Sequence, residues 1–192
     1  MLDTSGRAIV ATNNFILNTV VSIEFLFKPA REFDGSQIIC RTDGAFNIKF
    51  GYPFIQFITT TTTTNDIFKV NLEGVGRASY GYYTDGNWHH MVFKYNVTTG
   101  IKQIWVDGQL PDGFADTTAT GTFNTRNASV NINSNTINAK YFGNIDEIAL
   151  YDQDLPANNI YKHYTDFIQH KHYTYTNSII IPPAASPVTA FR

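Results

Sequence analysis

The side chains able to do chemistry in this chain of 192 residues are few and scattered. The glutamates are Glu24, Glu32, Glu73 and Glu147. Glu147 follows Asp146 inside Asn144-Ile-Asp-Glu-Ile-Ala-Leu-Tyr151, an otherwise apolar run. Unpaired charge is costly to bury, so both carboxylates need partners. His89 and His90 are adjacent, and neighbouring side chains on a strand point to opposite faces. They cannot ligate one metal together and read as framework residues. His170 and His172 share a face of an extended segment, with His163 upstream. Three imidazoles suit Zn²⁺, but no Cys or carboxylate accompanies them at ligand spacing. Gly-x-Ser-x-Gly, His-Glu-x-x-His and the P-loop are all absent. Recognisable reaction centres are missing, which points away from an enzyme. Asn96-Val-Thr98 and Asn127-Ala-Ser129 match glycosylation acceptors, read as chance matches in an Asn/Thr-rich chain with no visible leader.

Whatever these residues do, a sizeable core must position them. The chain is 43% hydrophobic and 15% aromatic, and at this length one domain buries roughly 70% of its unfolded surface. Charged residues make up 16%, against about 25% in ordinary domains, so Asn and Thr cover much of the surface. A net charge of −2 without a basic stripe argues against a nucleic-acid binder. Cys40 stands alone, so no disulfide forms within the chain, and its strand-like setting makes it a small core residue. No stretch approaches the roughly 20 apolar residues of a membrane span. Met1 to Gly6 lacks the basic start and apolar run of a secretory leader, which leaves a protein made whole in the cytoplasm or a domain of a larger one.

The organising stretch is Tyr141 to Leu155. Ile145 to Tyr151 has no Gly or Pro and reads as a central strand buried on both faces. Pro156 suits the first turn of a helix, with Ile160, Tyr161, Tyr164 and Ile168 following at helical spacing. Further strands are expected at 7–12, 19–28, 37–41, 46–50, 54–62, 67–72, 87–95, 103–108 and 128–132. In the second of these, Ile23, Phe25 and Phe27 share one face, and Ser22, Glu24, Leu26 and Lys28 the other. Thr42-Asp-Gly-Ala45 is a hairpin signal, and 87–108 folds as another hairpin. Thr59 to Thr64 suits an exposed or edge strand, and 110–127 a long loop. Many short strands and one late helix imply an all-β, two-sheet antiparallel sandwich. We expect one domain over 1–168, then an arm over 169–192. In the arm, His170 to Ile181 can form a strand before the Pro-rich tail that begins at Pro182.

The order of motifs resembles the laminin G-like group of concanavalin A-like jelly rolls. The carriers are Gly86-Asn-Trp88-His89-His90, the hairpin to Ile104-Trp105-Val106-Asp107-Gly108, Phe142-Gly-Asn-Ile145-Asp146-Glu147-Ile148, and Leu155 opening a helix that ends near Tyr164. Leu2-Asp3-Thr-Ser-Gly6 and Phe27-Lys28-Pro29 fit the same pattern. The resemblance spans residues 2 to about 165 and implies a jelly roll of about a dozen strands. Members often hold a structural Ca²⁺, for which Asp146 and Asp3 would be the ligands here. Hydrogen bonding of Asp146 and Glu147 to loop backbone is the plainer account. The Glu-x-Asp-x-x-Glu strand of glycosidases with this fold is absent.

The resemblance implies a non-catalytic recognition or adhesion module binding a glycan or a surface protein. Tyr52, Phe54, Tyr80, Tyr82 and Tyr83 are the rings able to stack on sugars, or else to pack the core. The alternative is a virion component, a capsid decoration or fibre, joined to other subunits of a larger particle. It would dock by strand addition through its tail, with Ile179, Ile180, Ile181 and Phe191 as contacts. Either reading places the chain outside a cell or on a virion surface.

Overall fold

The computed structural model describes residues 8–10, 19–29, 37–42, 46–51, 53–61, 65–73, 83–117, 120–123, 130–132, 143–171 and 189–190. Twelve strands and one helix appear among them. The strands are β1 (Ala8–Val10), β2 (Val20–Pro29), β3 (Gln37–Thr42), β4 (Phe46–Gly51), β5 (Phe54–Thr60), β6 (Asn65–Asn71), β7 (His89–Asn96), β8 (Ile101–Val106), β9 (Ala115–Thr117), β10 (Val130–Ile132), β11 (Gly143–Tyr151) and β12 (Thr189–Ala190). The helix α1 spans Ala157–Lys171. Two six-stranded sheets form, ordered β1-β10-β3-β4-β5-β6 and β12-β11-β2-β7-β8-β9, with every recorded pairing antiparallel. This is the jelly-roll sandwich expected from the sequence.

Alternation of side chains builds the layer between the sheets. Ile23, Phe25 and Phe27 of β2 are fully or almost fully buried in it. Phe25 stacks on Phe93 at 5.5 Å, Phe57 meets Phe93 edge-on at 5.5 Å, and Phe27 meets Phe50 edge-on at 5.4 Å, arrangements that suit the ring quadrupoles. Cys40 is buried as expected, and burial pushes its thiol up to about 12. One polar strut crosses the core: the enclosed Lys102 side chain reaches Asp66 of the opposite sheet at 2.7 Å. Burial pulls its ammonium pKa down, and the Asp66 carboxylate opposes this.

Four expectations need correcting. β11 is not buried on both faces. It pairs with β2 on one side and with only the two residues of β12 on the other. Gly143, Asn144 and Glu147 are exposed, and only Leu150 and Tyr151 are buried. The apolar letters reflected packing on β2 and under the helix rather than a central place. The described part of the threonine run, Thr59 to Thr61, does not form an exposed edge: β5 lies between β4 and β6, and Thr59 and Thr61 are buried, with Thr61 bridged to Phe123; Thr62 to Thr64 lie outside the described residues. The stretch after Leu110 is not all loop, since Ala115–Thr117 pairs with β8. His170 and Lys171 are helical rather than extended, because α1 runs past Tyr164.

The adjacent carboxylates mark a bulge. Asp146 pairs with Leu26 and Ala149 with Glu24, so Glu147 and Ile148 together oppose Phe25. Glu147 takes φ +50 and is exposed. The extra residue resets the alternation. Ile145, Ile148 and Leu150 all turn into the main core, while Ala149 and Tyr151 turn to the outer face. Without it, Leu150 and Tyr151 would exchange sides. Glu147→Gly is therefore expected to change stability by no more than about 0.5 kcal/mol, since relief of the left-handed strain offsets glycine's entropy. Deleting Glu147 is expected to cost more than about 3 kcal/mol. Urea unfolding of both variants checks this.

Candidate functional site

The outer face of β2 and β7 is built from Ser22, Glu24, His90, Val92 and Lys94, and the segment from Tyr151 to Tyr164 closes over it. Ser22 Oγ donates to the Gln153 carbonyl at 2.8 Å and accepts from the Leu155 N–H at 3.1 Å. Val92, Tyr151, Leu155 and Ile160 form a small buried cluster, with Trp105 and Ala149 against it. Helix α1 starts cleanly because Pro156, which lacks an N–H, offers its carbonyl to the N–H groups of Asn159 and Ile160.

Glu24 sits at the centre of this face, with its side chain 8% exposed. Three elements donate to it. His90 Nε2–H reaches Oε1 at 2.6 Å, Tyr151 O–H reaches Oε2 at 2.7 Å, and His163 Nδ1–H reaches both oxygens at 2.9 and 3.1 Å. Burial pushes the Glu24 carboxyl up, but the bonds from His163 and His90 outweigh it, and the group falls from 4.5 to about 2. The bond to Glu24 raises His163 above its ordinary 6.5 against the opposing effect of burial. Burial and the neighbouring carboxylate push the Tyr151 phenol up. Tyr164 stacks on the His90 ring with centroids 6.3 Å apart.

A second cluster holds the start of β7. Asp107 and Gly108 have φ +51 and +75 and form the two-residue turn between Val106 and Gln109, as a type I′ hairpin requires. Asp107 accepts from the His90 N–H at 2.9 Å and binds His89 Nδ1 at 2.8 Å, while Asp85 meets His89 Nε2 at 3.1 Å. Burial lowers the His89 pKa, but Asp107 and Asp85 outweigh it and raise it. The two adjacent histidines thus face apart, as expected, and both are framework residues.

Of the candidate ligand-binding rings, Phe54 and Tyr83 fall among the described residues; Tyr52, Tyr80 and Tyr82 lie outside them. Phe54 is half-buried, with Lys69 Nζ 3.9 Å above its ring. Tyr83 packs against the core, edge-on to His89 at 5.4 Å and Phe114 at 6.3 Å. The two are not brought together in any described contact. Asp146 is half-buried and accepts the Glu147 N–H at 2.9 Å; Asp3 lies outside the described residues. Among the described residues, no group of three His, Cys, Asp or Glu side chains is set to hold a metal ion. Of the three histidines considered for zinc, His163 is bonded to Glu24 and His170 is helical rather than extended, while His172 lies outside the described residues. Ile179, Ile180, Ile181 and Phe191 are likewise outside. Thr189 and Ala190 pair with Leu150 and Ala149 of the chain's own β11.

Sequence reasoning missed two features. One is the Glu24 cluster, whose members lie up to 139 positions apart. The other is a depression of about 190 Å³ beyond the start of α1, on the outer face of β7 and β8. Lys94, Asn96, Thr99, Ile101, Gln103 and Asp154 contribute to its lining. Lys94 pairs with Asp154 and lies 5.6 Å from the centre of the Trp105 ring.

The signs of the pKa changes set a pH profile. The lowered Glu24 stabilises fully above about pH 4.5 and loses this as pH falls through about 2. The raised His163 and His89 stabilise fully below 6.5 and lose this as pH rises through their folded values. The melting temperature is expected to be highest between about pH 4.5 and 6.5, and His163→Ala to flatten the alkaline limb. Glu24→Gln is expected to cost roughly 3 kcal/mol at about pH 5.5, read from urea unfolding. Gly108 supplies a packing test. A Cβ there would lie 2.9 Å from Tyr164 Cδ1, whereas at Gly86 (φ +85) it would meet nothing within 4 Å. Gly86→Ala should cost about 1 kcal/mol from backbone strain, and Gly108→Ala at least about 2 kcal/mol.

The fold can now be set beside known proteins. The laminin G-type family model described as the concanavalin A-like lectin/glucanases superfamily matches residues 3–161. Among curated protein sequences, none matches. Solved structures similar in fold include the botulinum neurotoxin serotype D binding domain, at TM-score 0.64 and 13% identity over 88% of this chain and 42% of that one. The receptor-binding domain of the C/D mosaic serotype gives 0.64 and 14%, over 87% and 42%. The binding domain of botulinum neurotoxin DC in complex with rat synaptotagmin II gives 0.61 and 15%, over 84% and 40%. The chain thus spans about two fifths of the length of these structures, and at such identities the likeness is one of fold. With the family model covering most of its length and the jelly roll in place, the chain belongs to the laminin G-like part of the concanavalin A-like lectin/glucanase superfamily.

Proposed function

We propose that the chain is a non-catalytic recognition module that binds a glycan or a surface protein, acting outside a cell or on a virion surface. The observation that carries this is the fate of Glu24. Glycoside hydrolysis on such a sheet needs two carboxylates facing one substrate. Glu24 is sealed beneath α1 with both oxygens occupied. Among the described residues, no second carboxylate bonds to Glu24 or to the side chains that donate to it; Asp107 meets only the backbone N–H of His90. Membership of a superfamily that takes in lectins as well as glucanases, and the likeness to toxin binding domains, support the same reading. Fold alone would be a weak guide. Among the described residues, no helix is long and apolar enough to cross a membrane. The alternative of a subunit docking through its tail draws no support from the described tail residues, which pair within their own sheet.

Two measurements test the reading. The full chain, displayed multivalently, is expected to bind a defined set on a glycan array, or a protein on intact cells, without releasing sugar. Release of reducing ends from bound glycans would overturn it. Melting curves in calcium and in EDTA are expected to coincide if the Asp146 carboxylate serves as an acceptor for backbone, as it does for the Glu147 N–H. A rise in melting temperature with calcium would instead assign the ion to Asp146 and Asp3.

A further inference from the structure

The geometry points to the depression beside Lys94 and Asp154 as a subsite for one neutral pyranose ring. This inference rests on the glycan form of the recognition reading and gives it a place. Helix α1 covers the rows of the sheet at Glu24, His90 and Val92. The next rows, where Lys94 pairs with Gln103 and Val20 with Asn96, lie beyond the helix start. The bowl there has a volume of about 190 Å³. That is below the roughly 300–1,000 Å³ of pockets for drug-sized ligands. A bowl of that size suits one small ring rather than a chain or a peptide side.

The polar groups are presented in a definite sense. Gln103 Oε1 is taken by the Trp105 indole N–H at 3.1 Å, so its amide nitrogen is left as a donor. Asn96 Oδ1 is taken by the N–H groups of Thr98 and Thr99 at 3.0 and 3.1 Å, so its amide nitrogen is left as another. These bonds fix the orientation of both amides. Asp154, with its side chain 64% exposed, supplies an acceptor beside them. Two amide donors and a carboxylate acceptor lining one bowl match sugar hydroxyls, each of which gives and takes a hydrogen bond. Lys94 is already neutralised by Asp154, so the bowl carries no surplus positive charge to attract a phosphate or a sugar acid. Val20 and the 43%-exposed Ile101 offer apolar surface to the C–H face of a ring.

The test is an amide-resolved NMR titration of the full chain with methyl glucoside, methyl galactoside, methyl mannoside and N-acetylglucosamine. Glucuronate and inorganic phosphate serve as charged comparators. At least one neutral sugar is expected to bind with a dissociation constant of order 1 mM. It should shift the side-chain amides of Gln103 and Asn96 and the backbone of Thr99 and Ile101. Gln103→Glu keeps the acceptor for Trp105 but removes the donor, and is expected to weaken binding roughly fivefold or more. Asp154→Asn, which removes the acceptor charge, should weaken it likewise, with melting curves confirming that both variants fold. A sugar that binds but shifts residues elsewhere overturns this subsite and leaves glycan recognition standing. Preference for glucuronate or phosphate overturns the neutral class. Absence of shifts with every sugar overturns the subsite, and a blank glycan array beside it removes the reading beneath it.

Discussion

The outer half of this domain hangs on one buried charge. Glu24 lies mid-strand, under a helix, where an unpartnered carboxylate would cost several kcal/mol. The fold answers by bringing a donor from each neighbouring element: His90 from β7, Tyr151 from β11 and His163 from α1. Each donor needs its element in one register. A slip of β7 by one residue would turn His90 into the core, and a shift of α1 would withdraw His163. The charge therefore acts as a specificity device. It selects one docking of the helix among several that greasy contact alone would tolerate. The apolar cluster of Val92, Tyr151, Leu155 and Ile160 supplies adhesion, and Glu24 supplies position.

The motif His89-His90 with Val106-Asp107-Gly108 has the same logic at the strand end. Asp107 takes the left-handed turn conformation and spends its carboxylate on the strand opposite, one oxygen to a backbone N–H and one to an imidazole. Gly108 then lets α1 lie flat on the turn, with the tyrosines of the helix against its Cα. Two residues in sequence thus join the hairpin, the strand and the helix. A pattern that looks like chemistry on paper, with paired histidines and a nearby aspartate, is joinery.

Much of the sandwich was legible from residue alternation. The faces of β2 separate as Ile23, Phe25 and Phe27 against Ser22, Glu24 and Leu26, because side chains on a strand alternate whatever lies beyond it. Alternation cannot say what covers the second face. Nothing near Glu24 in sequence marks its face as covered, since the helix that buries it begins more than 130 residues later. The pair Asp146-Glu147 looked like two carboxylates inside a buried strand. A bulge is a pairing property, visible only when the partner strand is known. Thr59 to Thr61 misled for a related reason, since β-propensity does not report whether a strand is interior or edge. The depression draws on a turn, two strands and the approach to a helix. No single spacing in the chain marks it.

The bulge in β11 has a bearing on how copies of this molecule behave in company. A long flat strand at the rim of a sheet is an invitation to a neighbour's strand, and growth by that route ends in fibres. Here the rim is broken where Glu147 leaves the ladder, and beyond the break two residues of the chain's own terminus occupy the open hydrogen bonds. The opposite rim of the same sheet ends in a strand of three residues, all exposed, with Asp116 in its middle. Among the described residues, neither side of this sheet presents a long, flat, regular edge of the kind that seeds an intermolecular ladder. The irregularity that turns Tyr151 toward Glu24 therefore also works as insurance against aggregation.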